Sequence, residues 1–329
     1  MTKIITRRHI LGGAAAGAAL LAMPRLSLSA TWPARPITAV LGFPPGGGLD
    51  AYVRLLAPFL SEKLGTEILV ENRTGANGNI ATEKVVNAKP DGYSILFSTA
   101  SAMAAASYAF PDLKFNPVTD LDHVTLATQS SYVLLVSKEL AANTWEEFVA
   151  LAKTQPGKLV HACAGVGSVN HLLGELLSLR AGITLNTVQY KGGAPAMVDL
   201  LANQAQCTFI SVGQAEPYVK SGQLKAILNC APKRAPQLPD VPSSTEVGLK
   251  DVDEMSFWIS ASAPKGTPPE VIQALRQAIV DCYQNKDLTD RMAVAGLLPV
   301  GSTPEEFLAK LKADHALYGQ IIKDANLTF

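Results

Sequence analysis

The chain has 329 residues, enough for a large core shared between two lobes, and it is 48% hydrophobic and 17% charged, the composition of a folded globular protein. The first 30 residues hold four bases (Lys3, Arg7, Arg8, Arg25) and no acid, so beyond them the chain's 28 acids face 24 bases, a net of −4. A weakly acidic chain without a basic cluster argues against nucleic acid as a partner.

Residues 1–30 read as a signal peptide. Arg7-Arg8 is followed by Ile10 to Met23, an apolar run rich in Ala and Gly, too short to span a bilayer comfortably and of signal-core length. Thr6-Arg7-Arg8-His9-Ile10-Leu11 resembles a twin-arginine export signal, and small residues at Ser27, Ser29 and Ala30 place cleavage near Ala30. Leu28 is not ideal three places before that cut, so the cleavage point stays open by a residue or two, and an uncleaved anchor is the alternative. No later stretch approaches the ~20 apolar residues of a membrane span. The expectation is a soluble, exported protein.

Strands and helices then alternate. Pro36 to Leu41 is an apolar, partly β-branched strand that runs into Phe43-Pro44-Pro45-Gly46-Gly47-Gly48 and a helix with Tyr52, Leu55, Leu56, Phe59, Leu60 and Leu64 on one face. Pro58 predicts a kink there. Strands at 67–72 and 93–97 flank a short helix at 80–88, giving a βαβαβ unit and a parallel sheet. Residues 111–122 look like a connection; 124–127 and 132–136 read as strands, and Thr144 caps a helix at 145–153. A second series follows: strand 159–163, helix 169–180, strand 187–190, the loop Lys191-Gly192-Gly193-Ala194-Pro195, and a helix to about 203. Strands at 208–211, 224–228 and 257–261 precede two C-terminal helices, each with a cap-like Thr (Thr267, Thr303) before Pro.

Both glycine loops sit at carboxyl ends of strands, where open α/β sheets bind ligands. Glycines let a backbone approach a ligand closely, and the first N–H groups of a helix lack intrahelical partners, so Pro45, Gly46, Gly47 and Gly48 on one side and Gly192, Gly193 and Ala194 on the other suit a carboxylate or phosphate. A tight strand-to-helix turn is the bland alternative. Neither loop matches a dinucleotide or nucleoside-triphosphate motif. Ser98, Thr99 and Ser101 close one strand, and Gly167, Ser168, Asn170 and His171 follow another; their hydroxyls and amide can hydrogen-bond carboxylate oxygens. Lys191 adds a charge beside Tyr190, or is a solvated surface lysine. Phe43 and Trp258 are core rings or cleft walls. Ser168 and His171 have the spacing of a nucleophile and base, but no G-x-S-x-G elbow accompanies them, so no catalytic residue is assigned. Cys163, Cys207, Cys230 and Cys282 form no C-x-x-C pair and read as buried thiols, although disulfides stay open; no metal site and no cofactor are expected.

The leader, Trp32-Pro33-Ala34-Arg35-Pro36-Ile37, Phe43-Pro44-Pro45-Gly46-Gly47, Val70-Glu71-Asn72-Arg73, Pro90-Asp91-Gly92-Tyr93, Ala164-Gly165-Val166-Gly167-Ser168, Tyr190-Lys191-Gly192-Gly193-Ala194-Pro195, Leu238-Pro239-Asp240-Val241-Pro242 and Ala263-Pro264-Lys265-Gly266-Thr267-Pro268 occur in this order. Together they resemble the exported receptors of tripartite tricarboxylate transporters, the Bug family. The resemblance implies an α/β, type II periplasmic binding protein with parallel-rich sheets, crossover strands near 132–137 and 257–262, and Venus-flytrap closure. It places lobe 1 at 31–131 and 257–329 and lobe 2 at 132–256. It also implies ligand contacts from the loops at 43–48, 98–101, 165–171 and 190–195, and a monomer that hands a small organic carboxylate to membrane permease subunits. Many relatives carry an aspartate near Phe209-Ile210-Ser211-Val212-Gly213-Gln214; its absence here disfavours an amino acid and favours a di-, tri- or aromatic carboxylate. The other readings are a secreted hydrolase using Ser168 and His171, and an orphan receptor feeding a sensor system.

Overall fold

The computed structural model describes residues 32–110, 112–249 and 251–328; the expected leader and its cleavage point lie outside them. Arg35–Phe329 form one compact unit, and the residues up to Ala34 are grouped apart from it.

Two sheets build that unit. The first has six strands in the order β11-β4-β10-β3-β1-β2 and the second five, in the order β7-β6-β8-β5-β9. In the first, β1 (Ile37–Leu41) lies parallel to β2 (Ile68–Asn72) and β3 (Ser94–Thr99), pairing Leu41 with Asn72 and with Phe97. β10 (Phe257–Pro264) runs antiparallel to β3 and to β4 (Leu121–Ser130), and β11 (Leu298–Pro299) closes the edge on β4. In the second, β6 (Val160–Cys163) is parallel to β7 (Asn186–Gln189) and β8 (Cys207–Ser211), whereas β5 (Tyr132–Ser137) is antiparallel to β8 and β9 (Leu224–Cys230). Each sheet is therefore mixed: a parallel βαβ core with antiparallel strands added where the chain passes between lobes. β5 is buried along its whole length, which explains its uninterrupted apolar run Tyr132-Val133-Leu134-Leu135-Val136.

The chain crosses between sheets twice. Only Ser131 separates β4 from β5, and residues 231–256 return the chain from β9 to β10. The two crossings lie together. Tyr132 meets Phe257 edge to face at 6.0 Å, Ser131 Oγ donates to Asn229 Oδ1 at 2.7 Å, and the Val212 N–H donates to the Ser131 carbonyl.

Helices cover the sheets. α1 (Gly48–Leu64) buries Leu49, Tyr52, Val53, Leu56, Ala57 and Leu60, runs unbroken through Pro58 and stops at left-handed Gly65. Pro58 is exposed. α2 (Asn79–Val86) follows a single 3-10 turn, Ala76–Gly78. Two one-turn helices, α3 (Ala100–Met103) and α4 (Ala106–Ala109), occupy a stretch with no sequence periodicity to reveal them. α5 (Trp145–Thr154) starts at Thr144, which accepts the Glu147 N–H as expected. α6 (Val169–Ala181), α7 (Gly193–Leu201) and α8 (Val212–Lys220) complete the second lobe. The C-terminal part holds three helices rather than two: α9 (Pro269–Cys282), α10 (Lys286–Val294) and α11 (Pro304–Asp324). Thr303 forms a capping box with Glu306. Thr267 caps nothing; its hydroxyl donates to the Pro264 carbonyl and Pro268 is the boundary residue of α9. All four cysteines are free and buried.

Candidate ligand site

The carboxyl ends of β1, β2 and β3 and the amino end of β10 come together on one side of the first sheet. The loop 43–48 leaves β1 there and is held by a buried polar network. Asp50 accepts the Gly46 N–H at 2.9 Å, the Asn72 amide at 3.0 Å and the Arg54 guanidinium at 3.0 Å; Asn72 also donates to the Phe43 carbonyl. Burial would raise the Asp50 pKa, but the hydrogen bonds from Arg54, Gly46 and Asn72 outweigh it and hold the carboxyl below its ordinary value. Gly46 thus gives its N–H to the protein's own carboxylate rather than to a ligand. Gly47 is the boundary residue of α1, whose N-terminus no side chain caps. A Cβ at Gly48 would lie 3.4 Å from the Phe257 ring and 3.5 Å from the Gln214 side chain of α8, so this loop faces the second lobe. Pro45 is exposed and Phe43 half-buried, its ring 3.2 Å from where a Gly78 Cβ would stand.

Several buried polar side chains in or bordering the first lobe have no hydrogen-bond partner among the described residues. Asn77 Nδ2, both Oδ1 and Nδ2 of Asn79, Thr99 Oγ1, Ser256 Oγ and Ser260 Oγ are buried and make no hydrogen bond. The 3-10 turn packs on α2 and α3, and α2 packs on β3 and β10, where Ser98 is register partner to Ser260. Bare buried polar atoms cost free energy, so each asks for a partner such as water; Thr99, paired with Ile259, faces the other side of the sheet from Ser98 and Ser260. The glycine pattern drew sequence reasoning to the loop and missed Asn77 and Asn79. Their position after β2, at a strand end equivalent to that of Phe43, was the available signal.

The loop 165–171 behaves differently. Ser168 caps α6 by accepting the His171 N–H, and donates to the Gly165 carbonyl at 2.7 Å; the Asn170 Oδ1 accepts from the Ala164 N–H. The Val169 N–H donates to Ser101 Oγ at 3.1 Å, across from the other lobe. Gly167 sits so close to α4 that a Cβ would fall 2.2 Å from the Ala109 Cβ. The start of α6 is consumed by internal bonds and joins the lobes. Ser168 and His171 are not a nucleophile and base. Nδ1 of His171 accepts the Gly167 N–H, which leaves the proton on Nε2, 3.7 Å from Glu175. Burial pushes the His171 pKa down to about 4, keeping the ring neutral.

In the loop 190–195 the Tyr190 hydroxyl donates to Asp199 at 2.6 Å, which pushes its pKa up to about 12, and so is turned onto its own helix. Gly192, with φ +112° and open space around it, leads into an α7 N-terminus that no side chain caps. Gly193 and Ala194 are exposed there, as is Lys191. Gly165 brings this loop to the preceding one through the Tyr190 carbonyl, 3.8 Å from its would-be Cβ. Trp258 is 0% exposed, its indole N–H donates to Asp314 at 2.7 Å, and its ring meets Phe307 edge-on at 5.5 Å. It is a core residue, not a cleft wall. A groove of about 630 Å³ lies elsewhere, between α9 and the start of α11. Among the described residues no His, Cys, Asp and Glu group could hold a metal ion, and no helix is long and apolar enough to cross a membrane.

Two α/β lobes with mixed sheets and a polar site at the carboxyl strand ends define a solute-binding receptor of the periplasmic binding protein fold. A family model described as tripartite tricarboxylate transporter family receptor matches residues 52–327. The chain belongs to that family, whose members are non-enzymatic solute-binding receptors. It is 34% identical over 277 residues to protein BugT of Bordetella pertussis (strain Tohama I), covering 84% of this chain and 85% of that one. Among solved structures, an R. palustris protein with adipate superposes with a TM-score of 0.85 at 28% identity, covering 90% of this chain and 98% of the other. MatC from Rhodopseudomonas palustris with bound malate gives 0.81 at 28%, covering 88% and 100%.

Proposed function

We propose that this protein is exported to the periplasm, where it captures a small organic carboxylate between its lobes as a monomer and delivers it to the permease of a tripartite tricarboxylate transporter. Residues 132–256 form one jaw and the flanking segments the other. The observation that carries the proposal is the uncapped start of α1 facing the second lobe, in a lobe that also holds bare buried polar atoms at Asn77, Asn79, Thr99 and Ser260, with Ser256 at its border. Neutral donors of this kind suit a carboxylate: each N–H or O–H binds an oxygen, and a helix N-terminus adds a favourable dipole without the desolvation cost of a buried cation. The uncapped α7 supplies the second set of donors. Relatives of similar fold hold adipate and malate, both dicarboxylates. An amino-acid ligand is disfavoured, because Gln214 occupies the facing position and Asp50 is already engaged.

A thermal-shift screen over di-, tri- and aromatic carboxylates, followed by calorimetry, tests this. A true ligand at a hundred times its Kd stabilises the fold by about 2.7 kcal/mol, a shift of several degrees. A screen in which no carboxylate shifts the transition refutes the proposal.

A further inference from the structure

α7 lacks the usual division between a buried and a solvated face. Of its nine residues only Asp199 is charged, and that carboxylate accepts the Tyr190 hydroxyl. Ala196, Met197 and Leu200 are buried, and the helix packs on β6 and β8. The opposite side carries Ala194, Pro195, Val198, Leu201 and, just past the helix end, Ala202. All five are exposed, Val198 at 63% and Leu201 at 41%. At 3.6 residues per turn they share one stripe. The edge strand β7 extends it: Thr187 turns to Glu175 of α6, so its neighbour Val188, 36% exposed, lies on the α7 side with Tyr190. α10 shows the contrasting solvated case, with Lys286, Asp287, Asp290 and Arg291 in ion pairs one turn apart.

A charge-free apolar face of this kind calls for an apolar partner. A helix of nine residues is about 14 Å long and roughly 10–12 Å across, so the stripe offers a few hundred Å². That is well below the ~800 Å² per partner of a stable protein interface, which disfavours a lasting dimer through β7 and α7 and suits brief contact. A lipid surface is disfavoured too. Helices that lie on membranes set Lys or Arg around their apolar face, and α7 has neither. The stripe begins at the uncapped helix start beside Gly192 and Gly193, which the carboxylate-receptor reading makes one set of ligand donors. Whatever covers α7 therefore bears on the loop that holds the ligand. Resting on that reading, we infer that the outer face of α7, centred on Val198 and Leu201, is where the receptor docks briefly on an uncharged, apolar surface of its membrane permease.

Photocross-linking tests this in the native cells, with full-length protein carrying p-benzoylphenylalanine in place of Val198 or Leu201, one at a time. Lys312, exposed on α11, is the control position. The expected result is a light-dependent adduct with a multi-span membrane protein from both α7 positions and none from Lys312. Adding Val198→Glu to the Leu201 probe should abolish the adduct. Val198→Glu alone should keep the wild-type thermal shift with di-, tri- and aromatic carboxylates, because the side chain points away from the sheet. A cross-link to a second copy of this chain, a lipid adduct, no adduct, equal labelling from Lys312, or an adduct that survives Val198→Glu overturns the inference. So does a Val198→Glu protein that no longer responds to a carboxylate the wild type binds, since the face would then belong to the ligand site. If the wild type itself responds to no carboxylate, the receptor proposal falls, and the inference with it.

Discussion

Asp50 shows how a single buried carboxylate shapes a loop whose visible signature is glycine. An acid in the first turn of α1 would compete with a ligand anion for the helix N-terminus if it were unbound. Here Arg54, Asn72 and the Gly46 N–H neutralise it and fix the loop instead. Asp50→Ala leaves the Asn72 amide and the Gly46 N–H seeking partners. It should destabilise the protein by about 1–3 kcal/mol in denaturant titrations and weaken ligand binding. The contribution of Arg54 is discounted in that figure, because its side chain is half exposed. Asp50→Asn retains one acceptor oxygen and should lose less of both. Unchanged binding in Asp50→Ala would show that the loop keeps its shape without the network.

At the scale of elements, the two glycine loops divide by what a side chain would meet. At Gly193 an added Cβ finds open space, and at Gly47 its nearest neighbour is the Pro44 carbonyl at 3.6 Å. Gly47→Leu and Gly193→Leu should therefore fold with little change in Tm, yet place a branched side chain at an uncapped helix start and lower carboxylate affinity at least about tenfold, read by calorimetry. Retained affinity in both variants would remove these helix starts from the site. Gly213 is the opposite case. A Cβ there would fall 1.6 Å from the Ala295 carbonyl oxygen, a backbone atom beside the lobe crossing that cannot swing away. Gly213→Ala should cost about 1–3 kcal/mol in stability, measured by chemical denaturation. The strand-loop-helix order, the glycine loops and the Thr144 and Thr303 caps were legible because each is written in a few neighbouring residues. α3 and α4 were not, since one turn gives no period. The fate of Trp258 depends on Asp314, 56 residues away, and that of the bare Asn79 amide on how distant described segments pack around it.

Across the whole molecule, buried histidines set the acid side of the stability curve, His161 and His171 most strongly, with burial lowering His123 as well. His161 is fully buried, edge-on to Phe209, with neither ring nitrogen bonded, and burial pushes its pKa down to about 3; that of His171 lies at about 4. Both fall below the ordinary 6.5, so as pH drops below 6.5 the unfolded chain takes up protons that the folded chain refuses. Stability is thus full above about pH 6.5 and is lost progressively toward pH 4, by about 1.4 kcal/mol for each unit of depression. The lowered pKa of Asp50 acts in the same direction at still lower pH, while Glu175 and Asp314, raised by burial, oppose it. His161→Phe keeps a ring against Phe209 and removes two bare nitrogens. It should leave the pH 7.5 stability unchanged or higher and flatten the loss between pH 6.5 and 4 in a series of denaturant titrations. A wild-type stability that stays level down to pH 4.5, or a His161→Phe profile with the wild-type slope, would mean that the histidine takes its proton inside the folded lobe.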